Sequence, residues 1–248
     1  MFVSRDLLGI HYGVDDKIAR FFVDREPPID NLYWHDKSLY LQPSPGYLFI
    51  PLIAELLFRI GISREQLLSV QFIECMEQIG HITALEETKQ ITAREAVNKC
   101  IDLAKTSGKN EAWLNTVVDY FNEVPGNLIV TMTTPYKALH RGDIFLFSLT
   151  TIEFPVDLFK RVTELWFALI SLLLLIDDAD DITDDKKNNE DNAFLESGLD
   201  KEGIERIKDF VRSKLRILKE INKPMAVKID MSFIAMIDKP HVHPLLNQ

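Results

Sequence analysis

Apolar positions along the chain recur mainly at helical spacing, and few stretches alternate as a half-buried strand would. GYLFIPLIAELLFRIG, from Gly46 to Gly61, predicts a short and nearly all-apolar helix with Pro51 in its first turns. SREQLLSVQFIECMEQIGHITALEETK begins with Ser63 and, three residues later, Gln66, which is the spacing of a capping box. One helix through that segment is the expectation. Thr92 and Glu95 repeat the device in TAREAVNKCIDLAKTSG, and Gly108 supplies its stop. NEAWLNTVVDYFNEVPG predicts another helix, ended by Pro125 and Gly126. LIVTMTTPYKALHRGDIFLFSLTTIEF is crowded with β-branched residues, and its length suggests two helical pieces broken near Pro135, with a strand as the lesser option. Pro155 opens a long helix expected to run continuously to about residue 183, and KEGIERIKDFVRSKLRILKEI predicts an amphipathic one. Residues 1–45 and 239–248 carry most of the remaining prolines and read as less regular. The pattern therefore predicts an all-α fold, a single-domain helical bundle over residues 1–248.

Composition narrows what such a bundle can do. At 248 residues and 46% hydrophobic content, the chain can build one substantial core. A formal charge of −10 and a pI near 5.1 argue against nucleic acid and anionic membrane surfaces as general partners. With only Cys75 and Cys100, a disulfide framework is not expected, and a reducing compartment is the simpler reading. Arg5 and Asp6 interrupt what would have to be the apolar part of a signal peptide. Leu165 to Ile176 is apolar apart from Ser171, yet its 12 residues fall short of a membrane span. A cytoplasmic protein without a transmembrane segment is expected, and a homodimer is compatible with all of this.

The unusual feature follows that apolar run. Asp177, Asp178, Asp180, Asp181, Asp184 and Asp185 stand within nine positions. If the long helix continues through them, Asp177, Asp181 and Asp184 or Asp185 share one face, with Asp178 beside it. Bare carboxylates one turn apart repel, and the helix macrodipole disfavours negative charge at a C-terminal end. A divalent cation would relieve both penalties, and Mg²⁺ favours a few carboxylates together with water and phosphate oxygens. An EF-hand is excluded, because the loop that starts at Asp178 has Thr183 where glycine belongs and Asn189 where the bidentate glutamate belongs. A solvated acidic helix end is the competing reading.

LIDDADDITDDKKNNEDN resembles the second aspartate-rich motif of the class I isoprenoid synthases, the group of polyprenyl synthetases and squalene and phytoene synthases. Asp177, Asp178 and Asp181 match its DDxxD pattern, and Asp181 with Asp185 fits a DxxxD variant. HRGDIFLFSLTTIE followed by DLFKRVTELWFALISLLLLIDD resembles the helix pair that leads into that motif, so the likeness covers roughly residues 132–195. The resemblance implies an isoprenoid-synthase-type bundle around an apolar cavity, with Mg²⁺ held by Asp177, Asp178, Asp181 and Asp185. It further implies an isoprenoid diphosphate, or another lipid-like small molecule, as ligand. The implied activity is prenyl transfer or terpenoid cyclisation, and a catalytically degenerate relative that binds a lipid or a protein is the other outcome. No DDxxD occurs upstream to serve as the first motif, and Leu174 stands where polyprenyl synthetases carry glutamine.

Substrate-binding candidates are fewer. Glu74, Gln78 and His81 share a face of the FIECMEQIGHITALEE helix and could stand in for the missing motif, against the plainer reading of a surface stripe. Lys137 and Arg141, with His140 between them, could meet a diphosphate. His241 and His243 near the C-terminus read as solvated. Asp177 and Asp181 are expected to point into the mouth of a cavity, inheriting the inward direction of Ile170 and Leu173.

Overall fold

The computed structural model describes residues 4–25 and 45–246, and among them the regular structure is helical, with no strand. A π-helical turn, Leu7–His11, precedes α1 (Asp16–Asp24), α2 (Pro45–Arg59), α3 (Arg64–Leu67), α4 (Val70–Glu87), α5 (Ala93–Ser107), α6 (Glu111–Phe121) and α7 (Leu128–Met132). Two 3₁₀ segments follow, Lys137–His140 and Asp143–Thr151, and a third 3₁₀ turn, Val156–Leu158, leads into α8 (Phe159–Asn188). The chain ends with α9 (Ala193–Ser197), α10 (Lys201–Ile221), α11 (Lys223–Ile237) and α12 (His243–Leu246).

Helix α8 is the axis of the bundle. Every residue from Leu165 to Leu175 is buried, so a helix that is apolar all round is also enclosed all round. It packs against α2, α10 and α11, with α7 and α9 touching it at the side. Trp166 meets Phe49 of α2 edge to face at 4.8 Å. A second layer is made of α4, α5 and the 3₁₀ helix Asp143–Thr151, which pack on one another. The buried side chains of both layers form one hydrophobic core.

Local chemistry accounts for the element boundaries, including those the sequence pattern misplaces. The segment expected as one helix from Ser63 is two. Ser63 accepts from the Gln66 amide and starts only α3, and Ser69 then accepts from the Phe72 amide and starts α4. The reciprocal half of the Ser63 box is missing because the Gln66 side chain pairs with the backbone of Glu153 instead, at 2.6 and 3.2 Å. The Thr92–Glu95 box is complete. Gly108 does end α5, although its backbone is extended rather than left-handed, and a Cβ there would lie 2.3 Å from the Ala104 carbonyl oxygen.

The β-branched stretch after Gly126 forms short helical pieces and no strand. Ser148, Thr150 and Thr151 each donate to the carbonyl three residues back, which suits the tighter 3₁₀ repeat and satisfies hydroxyls in the core. Helix α8 begins after the turn that Pro155 starts and continues five residues beyond the expected end, to a left-handed Asn189. The aspartate run is thus helical throughout. Within the N-terminal region expected to be less regular, Asp16–Asp24 is a helix capped by Asp15, and residues 26–44 lie outside the described residues. No helix of the described residues is long and apolar enough to cross a membrane.

Candidate functional site

The inward face at the end of α8 runs through Leu175, Asp178 and Ile182, each a turn apart and each buried. That phase decides which aspartates point where. The expectation that Asp177 and Asp181 face an apolar cavity is corrected on this ground: Asp177 is half-buried and Asp181 is exposed. Asp178, only 1% exposed, is the carboxylate turned into the protein.

Asp178 is fully engaged there. Its Oδ1 lies 2.7 Å from Arg141 Nη2, and its Oδ2 accepts from the Ala193 amide at 2.8 Å. Arg141 also reaches Asp177 Oδ2 at 3.1 Å and donates to the Ala138 carbonyl at 2.9 Å. Gly142 makes this approach possible, since a Cβ there would stand 2.9 Å from Ile170 of α8. Burial pushes the Asp178 carboxyl up to about 6, although Arg141 and the Ala193 amide favour its charged form and only Asp177 adds to the rise. Burial works against the Arg141 charge as well, but the carboxylates of Asp178 and Asp177 outweigh it and hold the guanidinium protonated more firmly.

The other acidic groups divide between clasp and surface. Asn192, buried after the turn, donates to the Asp178 carbonyl at 2.7 Å and to Asp185 Oδ2 at 2.8 Å, while its own Oδ1 caps α9. Asp180 sits 2.9 Å from Lys239 and 2.8 Å from His241, and the Lys239 hydrogen bond leads in holding its carboxyl below the usual range. His241 is exposed, as expected, and in addition it contacts the acidic run through Asp180. Asp181 keeps the face toward water. Desolvation, and then the charges of Asp177, Asp185, Asp180 and Asp184, push its carboxyl up.

The remaining candidates lie apart from this group. Glu74 and Gln78 are exposed on α4 and His81 is half-buried, while Glu77, which shares the helix, is buried and gripped by Arg25 at 2.5 and 2.6 Å. What α4 brings toward the aspartates is its C-terminal end. Glu87, at that end, is held up by desolvation and by Glu86, and it feels the opposing charge of Arg141. Lys137 points away, 2.7 Å from Asp191, while its amide and that of Ala138 donate to Glu196. Among the described residues no set of three His, Cys, Asp or Glu side chains is placed to hold a metal ion. At the aspartates, Arg141 stands between Asp177 and Asp178 and pairs with both.

A second polar cluster was not legible in the sequence. Tyr120 Oη donates to Asp143 Oδ2, and His140 Nδ1 lies 3.3 Å from Tyr120 Oη and 3.4 Å from Asp143. His140 Nε2 is 3.0 Å from the Thr134 carbonyl, which can only accept, so Nε2 carries a hydrogen. Asp143 is 2% exposed and its Oδ1 has no partner. Burial pushes its carboxyl up to about 7, against the Tyr120 hydrogen bond and the His140 charge. The tyrosine hydroxyl is raised as well, by burial and then by Asp143. The sequence signal for the cluster is slight: an aspartate at the start of an apolar run, three residues after His140.

The surface clefts lined by described residues include three. One of about 110 Å³ lies between α9, α10, α11 and α12 and is lined by Phe194, Ile207, Phe233 and Leu246, with Lys208 and His243 at its polar side. Two others, of about 460 and 370 Å³, lie at the surface around Lys109 and Asn110. None of the three is lined by Asp177, Asp178 or Asp181. Comparison with protein-family models, with curated proteins and with solved structures finds no match for the chain.

Proposed function

We propose that this chain is a helical interaction protein that binds a protein partner, and that the aspartate-rich end of α8 is a structural clasp. The observation that carries this reading is the engagement of Asp178. The second aspartate of the DDxxD pattern is buried against Arg141 and tied to the start of α9, where a metal-binding residue would need a free, water-accessible oxygen. A protein partner is favoured over a lipid by one further feature: helix α11 turns Val227, Met231 and Ile234 outward in one stripe.

A second reading keeps the Mg²⁺-dependent isoprenoid diphosphate enzyme, favoured by Asp181. Asp177, Asp181 and Asp185 follow each other at one-turn spacing, and the crowding that raises the Asp181 carboxyl is what a cation would relieve. A melting experiment in millimolar Mg²⁺, with and without pyrophosphate, separates the two. The interaction reading expects no rise beyond that produced by NaCl at equal ionic strength. A rise that pyrophosphate enhances, and that Asp177→Ala with Asp181→Ala removes, would overturn it in favour of the enzyme.

A further inference from the structure

Helix α11 turns its buried residues, Met225, Ala226, Ile229 and Phe233, toward α8 and α10. On its opposite side Val227 is 45% exposed, Met231 60% and Ile234 48%, at i, i+4 and i+7. These three form a continuous apolar stripe two turns long. The turn Leu7–His11 packs beside the same helix and carries Ile10, also strongly exposed. Lys223, in the first turn, and Asp238, at the C-cap, close the two ends of the stripe, both exposed. Neither forms a salt bridge within the described residues.

The placement of those two charges is informative. A lysine at a helix N-terminus and an aspartate at its C-terminus both oppose the helix's own macrodipole. Beside an antiparallel neighbour the signs reverse, since each charge then lies at the favourable end of the other helix. The stripe is also symmetric about one point. Val227 and Ile234, and likewise Lys223 and Asp238, are equidistant from the midpoint between Asp230 and Met231.

From this we infer that α11 is the contact of an isologous two-fold dimer, in which the stripe packs antiparallel on the same stripe of a second copy of this chain. Met231 lies at the axis. Val227 of each copy packs against Ile234 of the other, and each Lys223 pairs with the opposite Asp238, about 22 Å apart along one helix at 1.5 Å per residue. Asp230, half-buried at the edge of the stripe, is brought near its own counterpart and weakens the contact. The inference names the partner for the interaction reading and rests on it.

Sedimentation velocity over a concentration series tests the dimer, with thermal melts to confirm that each variant folds. The wild-type chain should go from monomer to dimer as concentration rises to the order of 100 μM. Met231→Asp should abolish the dimer. Lys223→Asp should weaken it about tenfold, adding Asp238→Lys should restore it, and Asp230→Asn should strengthen it. A chain that stays monomeric throughout would overturn the proposal, as would a dimer indifferent to Met231→Asp, or a charge swap that fails to restore what Lys223→Asp removes. The Mg²⁺ and pyrophosphate melt, run in parallel, keeps two failures apart. A monomer without a metal response removes only the second copy as partner, whereas a metal response removes the interaction reading itself.

Discussion

Arg141 is the residue on which the acidic end of α8 depends. It stands between Asp177 and Asp178, and without it Asp178 would be a buried carboxylate whose only remaining side-chain partner is one backbone amide. Breaking a buried pair from one side costs roughly 3–5 kcal/mol, and the partial exposure of Arg141 lowers the expectation for Arg141→Ala to about 2–4 kcal/mol at neutral pH. Asp178→Asn combined with Arg141→Ala should recover part of that loss in urea melts, because no bare charge remains. The Asp143 cluster makes a second residue-scale prediction. Its folded-state value of about 7 lies above the ordinary 3.8, so between those values the native state holds a proton that the unfolded chain has released. Stability from this group is therefore complete below about pH 4 and is lost as the pH rises to about 7. Asp178, pushed up to about 6, acts in the same direction. Asp143→Asn should leave stability at about pH 4 nearly unchanged and raise it at pH 8 by on the order of 1–3 kcal/mol, flattening the profile. A pH profile parallel to the wild type would show that Asp143 is not the group responsible. The sequence exposes the six aspartates as a group, but which of them is buried depends on the phase of α8 against its neighbours. Asp143 is hidden for the same reason: His140 stands three residues before it, but Tyr120, 23 residues away, reaches it only through packing.

Helix α8 carries the element-scale argument. Its apolar run and length are plain in the sequence, as are α5 with its complete Thr92–Glu95 box and α10, whose observed bounds, Lys201–Ile221, are those the pattern predicts. The missed boundaries share one cause. Gln66 forms half of a capping box by spacing, yet its side chain finds the Glu153 backbone, a partner 87 residues away that no local window contains. The 3₁₀ helix Asp143–Thr151 is likewise obscured by β-branched residues whose hydroxyls, once buried, bond back to the chain. The end of α8 has its own test in Asn192, which ties the returning chain to Asp178 and Asp185 and caps α9 in the same step. Asn192→Ala should cost more than the 0.5–2 kcal/mol of an ordinary lost cap, because it also leaves buried groups without partners. Hydrogen exchange should place the added opening in residues 178–197 and leave the middle of α8 protected. Uniform loss of protection across the bundle would show that the clasp is not a local device.

For the whole molecule, the class of fold was legible while the use of its most conspicuous feature was not. Helical periodicity without strand alternation indicated an all-α bundle, and the structure is one. The spacing of the aspartates points to a metal site or a charged helix end, and it does not reveal where Arg141, Asn192 and Lys239 arrive, all of them distant in sequence or set by packing. Net charge adds a difficulty to any test with metal. At −10 the folded chain repels itself, so added salt stabilises it by screening even if no ion binds. Mg²⁺ should therefore raise the melting temperature over a millimolar range on either reading. A clasp already paired with Arg141 and Lys239 and hydrogen-bonded by Asn192 expects Mg²⁺ and NaCl to give the same rise at equal ionic strength. It also expects Asp181→Ala, which removes an exposed and crowded carboxylate, to raise the melting temperature slightly at low salt, with the gain fading as salt is added. A true cation site expects the reverse: Mg²⁺ exceeds NaCl at matched ionic strength, the excess saturates with concentration, and Asp181→Ala abolishes it. The sign of the Asp181→Ala effect in the presence of Mg²⁺ thus decides between a helix end that tolerates its charge and one that uses it.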